Sequence, residues 1–147
     1  MIHRLARRVT VDSSPAKHPP YLRSRLGVLV GDVLVLALFV VIGITDHGGN
    51  PAEIPAHTLE VLVPFLLAWL LLAPLAGLYH RQTLTDYRVV LVSVPLTWVG
   101  VAVGGALIRA TPVFTGGASA TFILVTILFG TLLLLPWRLA VVWLFRR

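Results

Sequence analysis

Apolar positions along the chain fall into four long blocks, residues 26–45, 59–78, 89–108 and 120–145, divided by shorter stretches where Gly, Pro, Asn and charged residues gather. Each block has the roughly 20 residues that a helix rising about 1.5 Å per residue needs to cross hydrocarbon. Strand-like alternation of apolar and polar positions is absent, which argues against a lipid-facing barrel. The pattern predicts an all-α fold: a four-transmembrane-helix up-and-down bundle with short connections. Pro64, Pro74, Pro95 and Pro136 interrupt the second, third and fourth blocks and mark kinks, which belong to architecture more often than to gating. Thr58 and Ser119 are placed to cap the second and fourth helices, and Thr85 and Asp86 suit the start of the third.

Residues 1–25, MIHRLARRVTVDSSPAKHPPYLRSR, carry basic residues, Ser and Pro without a sustained apolar period, and predict a flexible tail. Arg7 and Arg8 form a twin-arginine pair. The apolar run lies too far downstream and is too long for an export signal, and a cleavage site is missing. Attraction of the tail to anionic head groups is the plainer expectation.

Composition sharpens the membrane expectation, because 57% of the 147 residues are hydrophobic and only 12% are charged. A formal charge of +6 would suit a nucleic-acid binder if the cations shared a soluble face. They sort by topology instead. Arg4, Arg7, Arg8, Lys17, Arg23 and Arg25 precede the first block, Arg81 and Arg88 lie between the second and third, and Arg146 and Arg147 follow the fourth. The opposite loops hold only Arg109, so ten basic residues against one place both termini in the cytoplasm and the chain in the cell membrane. With no cysteines, thiol catalysis, thiolate metal sites and disulfides are excluded.

Besides Glu60 in the first turn of the second block, two charges lie inside the apolar blocks. Asp32 is six residues into the first, about 9 Å along a helix, and Arg138 precedes Arg146 by eight residues, about 12 Å. The first and fourth helices run oppositely, so both charges approach the same leaflet, and an intramembrane ion pair between Asp32 and Arg138 is expected. The alternative is that Arg138 snorkels to the head groups while Asp32 meets water in a crevice. A simple pair further predicts that exchanging the two charges recovers what either single change loses.

At the other membrane face His47, Glu60 and Arg109 form a candidate polar cluster, with His57 and Glu53 nearby. Two histidines ten residues apart across a Gly/Pro loop match no zinc spacing, and no histidine sits at mid-membrane depth for haem, so neither metal nor cofactor is expected. In the third helix Ser93, Thr97, Gly100 and Gly104 make a small-residue stripe, including a GxxxG pattern, that lets another helix approach. The four tryptophans, Trp69, Trp98, Trp137 and Trp143, read as packing or interfacial anchors. An offset of 62 residues lays LLLAP on LLLLP and Gly43 on Gly105, a weak sign of duplication. No nucleophile elbow, phosphate loop or HExxH is present, so an enzyme is the distant third reading.

The set GDVLVLALFVVIG followed by His47, PFLLAW with APLAG, ALIRATPVFTGGASATFILV and the closing PWR resembles the DUF3054 family of small prokaryotic integral membrane proteins of unknown function, over residues 26–143. The chain departs from that pattern at Ile44-Thr45-Asp46, where many relatives carry a more polar or basic residue. The resemblance implies a compact four-helix membrane domain over 26–147, with recurrent polar positions at Asp32, His47, Arg109 and Arg138. It brings no activity with it. Two functions stay open: a structural, assembly or accessory subunit whose partners are the lipid bilayer and a homo-oligomer or larger complex, without nucleic acid; or a small oligomeric transporter or channel with Asp32 as an ion- or proton-coupled site.

Overall fold

The computed structural model describes residues 20–147. Residues 1–19 of the expected tail, the twin-arginine pair among them, lie outside the described residues, while residues 20–25 of that tail belong to the first helix. Five helices follow: α1 (Pro20–Asp46), α2 (Pro55–Leu75), α3 (Arg81–Thr85), α4 (Tyr87–Arg109) and α5 (Ala120–Phe145). All except α3 are long and apolar enough to cross a membrane. The four long helices pack in the cyclic order α1–α2–α4–α5, and α5 returns to α1. Every neighbour in that ring is antiparallel, which is what short connections between successive spans produce.

Helix starts reflect local chemistry that the apolar pattern alone does not resolve. Pro20 and Pro55 open α1 and α2, where a missing N–H costs nothing. Thr58 therefore sits inside the first turn of α2, donating from Oγ1 to the Ile54 carbonyl at 3.0 Å, and does not cap it. Asp86 and Ser119 are N-caps, accepting from the backbone N–H of Arg88 at 2.8 Å and of Phe122 at 3.2 Å. The connection between the second and third spans is not simply a loop, since α3 lies within it and packs beneath α4 and α5.

The exterior is apolar: Leu34, Leu75, Leu96 and Leu132 are each more than 60% exposed. An apolar surface of this extent suits hydrocarbon as the solvent, with backbone hydrogen bonds closed inside each helix. The interior is built on aromatics. Trp69, Trp98 and Phe65 are fully buried, with Trp69 and Trp98 ring centroids 6.1 Å apart and Phe65 standing 6.4 Å from Trp98. Phe122 continues the column 6.1 Å beyond Phe65 and carries the Arg109 guanidinium over its ring at 4.9 Å.

Large rings reach the centre because glycines face them. A Cβ on Gly130 of α5 would lie 2.1 Å from the Trp98 indole, whose Nε1 is fixed by donating to the Thr126 carbonyl at 2.9 Å. The Ser93–Gly104 stripe makes looser contacts: a Cβ at Gly100 would stand 3.4 Å from Leu72, and one at Gly104 would stand 3.7 Å from Ala68, both on α2. Thr97 is buried, Ser93 donates to the Val89 carbonyl of its own helix at 2.7 Å, and Gly100 is exposed.

Gly130→Ala should therefore destabilise the bundle by about 1–3 kcal/mol through overpacking. Gly43→Ala, whose Cβ meets nothing within 4 Å, should be neutral or stabilise by up to about 1 kcal/mol through helix propensity. Thermal unfolding of the two variants in one detergent checks the contrast, and equal transitions would contradict the packing described.

Candidate functional site

The buried charges, Asp32 and Arg138, lie toward the end of the bundle that carries Arg81, Arg88, Arg146 and Arg147. The α2 C-terminus sets the geometry. Gly77 adopts φ of +72°, the Leu78 N–H reaches back to the Ala73 carbonyl at 3.0 Å, and the Gly77 N–H reaches Pro74 at 3.0 Å. This is a Schellman stop, which needs a residue tolerant of the left-handed region at Gly77 and an apolar residue after it. Leu78 supplies the apolar contact and is fully buried. Thr83 of α3 holds the turn by donating to the Gly77 carbonyl at 2.9 Å. The turn thus directs the Leu78 carbonyl and the Tyr79 side chain into the bundle.

Both meet Arg138 and Asp32 there. The guanidinium donates through Nε to Asp32 Oδ1 at 2.8 Å and through Nη2 to Oδ2 at 2.5 Å, a two-pronged contact, while Nη1 donates to the Leu78 carbonyl at 2.8 Å. Asp32 also accepts from the Tyr79 hydroxyl at 2.7 Å and from Trp137 Nε1 at 3.0 Å. Each carboxylate oxygen therefore has two donors, the number its lone pairs accommodate. Trp69 Nε1 donates to the Tyr79 oxygen at 3.1 Å and closes the chain. The Arg138 guanidinium lies 5.0 Å from the Tyr79 ring centroid and 5.9 Å from that of Trp69. Asp32 is 0% and Arg138 1% exposed, and among the described residues no buried side-chain N or O lacks a hydrogen-bond partner.

Trp137 can take this position because residue 31 is glycine. A Cβ at Gly31 would fall 1.9 Å from the Trp137 ring, so the Gly31-Asp32 pair provides both the space and the acceptor. Trp137 and Arg138 are consecutive on α5 and reach the same carboxylate from adjacent directions. Depth along the helices points to Asp32 and Arg138 as partners, whereas Tyr79, Trp137, Trp69 and the Leu78 carbonyl join them only in the folded chain. The available signals were APLAG followed by Leu78-Tyr79, and Trp137 directly before Arg138.

The other end is looser. His47 donates from Nδ1 to the Gly43 carbonyl of its own helix at 2.8 Å and is exposed. Glu60 accepts from Thr115 Oγ1 at 2.8 Å and faces His57 Nδ1 at 3.7 Å. Arg109 lies near enough to Glu60 for electrostatic attraction and stacks on Phe122. Glu53 accepts from Asn50 at 2.8 Å. Among the described residues no three His, Cys, Asp or Glu side chains come together as a metal site would require.

Burial pushes the Tyr79 phenol above its ordinary value, and the charge and hydrogen bond of Asp32 push it further. With the folded value above the unfolded one, near 10, the stabilisation from this phenol is complete below about pH 10 and is lost as pH rises through the folded value.

A family model described as "Protein of unknown function (DUF3054)" matches residues 29–141. No curated protein and no solved structure matches the chain.

Asp32→Asn should cost about 3–5 kcal/mol, because it leaves a buried guanidinium without its counter-charge. Exchanging the charges should not recover that loss. The Tyr79 hydroxyl and Trp137 Nε1 would then point at a cation, and the Leu78 carbonyl at a carboxylate. Unfolding of both single variants and of the exchange in detergent tests this, recovery by the exchange being the contrary result. In alkaline titration the wild type should show a tyrosinate step above the ordinary range that Tyr79→Phe removes; an unchanged titration would place that step elsewhere.

Proposed function

The chain belongs to the DUF3054 family, and from its closed polar centre we propose that it is a small multi-pass membrane subunit with a structural, assembly or accessory role. One observation carries this reading: the buried acid has all its acceptor positions filled by side chains of the same chain. An acid that couples to ion or proton movement has to exchange partners or meet water during the cycle. Asp32 is instead engaged by Arg138, Tyr79 and Trp137 together, an arrangement suited to fastening α1, α5 and the α2–α3 turn to one another.

The positive-inside asymmetry supports an orientation in the cell membrane with the polar centre nearer the cytoplasm. Arg81, Arg88, Arg146 and Arg147 stand at that end, while the segment between α1 and α2 carries neither Lys nor Arg. The membrane then presents to partners a rigid bundle with an apolar belt and a basic rim.

Proteoliposomes test the function. The reading predicts no proton, sodium or potassium flux that depends on Asp32, together with cross-linked species above the monomer in the native membrane. Flux abolished by Asp32→Asn in protein that remains folded would overturn it in favour of transport. Orientation is checked by single cysteines in this cysteine-free chain: Asn50→Cys should react with an impermeant reagent added outside intact cells, and His80→Cys should react only after lysis. The reverse labelling would invert the topology.

A further inference from the structure

Helix α3 is a short turn of five residues, Arg81–Thr85, too short to hold its conformation unaided. The residues flanking it are extended: His80 has φ −74° and ψ 153°, and Asp86 has φ −122° and ψ 116°. Both ends are therefore hinges, and α3 can change position without unwinding α2 or α4. What it covers is specific. Leu84 is buried in a cluster with Val28 of α1 and Val141 of α5, and Tyr79 and Trp137 pack against that cluster. Those two are the uncharged donors to Asp32. Leu84 thus closes over the polar centre from the basic end of the bundle.

Two side chains tie the turn down. Thr83 bonds to the Gly77 carbonyl at 2.9 Å in a buried setting. The second tie is long-range: Arg146, the C-cap of α5, donates from Nε to the Thr85 carbonyl at 2.7 Å and lays its guanidinium 4.6 Å from the Tyr87 ring centroid. Arg146 is exposed, so this tie is open to competition from outside the bundle. Short segments held by a few such contacts open at a cost well below that of global unfolding. We propose that α3 is a hinged stopper over the polar centre and that Arg146 is its latch. Release of the Arg146–Thr85 contact lets α3 lift about His80 and Asp86 and admits water from the basic end toward Tyr79 and Asp32. This goes beyond the assembly role and does not depend on it.

Thiol reactivity tests the proposal in the full chain, which contains no cysteine. One reporter, Val141→Cys, lies beside Leu84; a second, Ala106→Cys, is fully buried toward the opposite end of the bundle. In lipid nanodiscs both should react slowly with a water-soluble maleimide while Arg146 is present. Adding Arg146→Gln should speed the reaction of Val141→Cys about tenfold, the scale of one lost hydrogen bond to a charged group, and leave Ala106→Cys unchanged. Arg146→Lys keeps the charge but loses the Nε bond, and should act as Arg146→Gln does. Val28→Cys, in the same cluster, reports instead should Val141→Cys not fold. An unchanged rate at the cluster on loss of Arg146 would overturn the proposal. So would slow labelling preserved by Arg146→Lys, or equal acceleration of both reporters, since the bundle would then loosen as a whole.

Discussion

A carboxylate with no access to water is the constraint on which the rest of this structure depends. Hydrocarbon outside and aromatic rings inside offer Asp32 nothing, so its cost is offset only by donors the chain itself delivers. Arg138 supplies two of them with the opposite charge, and Tyr79 and Trp137 supply the others. An arginine in the same setting would be equally costly alone. Its remaining contact, to the Leu78 carbonyl, brings in a third part of the chain. A partly satisfied network would be worse than an apolar core, which is why each participant matters beyond its own bond.

The packing details follow from that requirement. Gly31 precedes the acid because the Trp137 indole must lie against α1 to reach it. Gly77 ends α2 because a left-handed residue turns the chain so that Leu78 and Tyr79 enter the bundle. Trp69 anchors the Tyr79 oxygen from α2 and stacks into the aromatic column that fills the middle of the bundle. The polar centre and the apolar core thus share residues. The far end, where His47, Glu60 and Arg109 each find local partners at a partly exposed surface, carries no comparable constraint.

Depth was readable from the chain because helical rise is fixed: counting residues from the basic flanks brings Asp32 and Arg138 to one leaflet. Adjacency was not, since four similar apolar helices can be arranged in more than one cyclic order, and only packing selects the one that sets α1 beside α5. Tyr79 follows an apolar block and has the pattern of an interfacial residue, while the Leu78 carbonyl has no side-chain signature. Trp137 has the sequence character of an anchor because indoles at membrane ends often are anchors. The GxxxG stripe drew attention to Gly100 and Gly104, whereas the tight approaches fall at Gly31, Gly105 and Gly130, opposite single large rings. Spacing alone does not identify which glycine faces a tryptophan. His47 shows the converse, for its polar character is answered by its own helix.

A bundle tied at one end by a charged knot and sheathed in aliphatic side chains is suited to being a fixed partner for lipid and protein. The central claim is that Asp32 and Arg138 stabilise the fold as a unit, which a double-mutant cycle measures most directly. Unfolding free energies of Asp32→Asn, Arg138→Met and the double variant, determined in a bilayer, should show the double less destabilised than the sum of the singles by about 1.5–3 kcal/mol. A sum that is additive within about 0.5 kcal/mol would mean that the two charges do not hold each other, and would contradict the account.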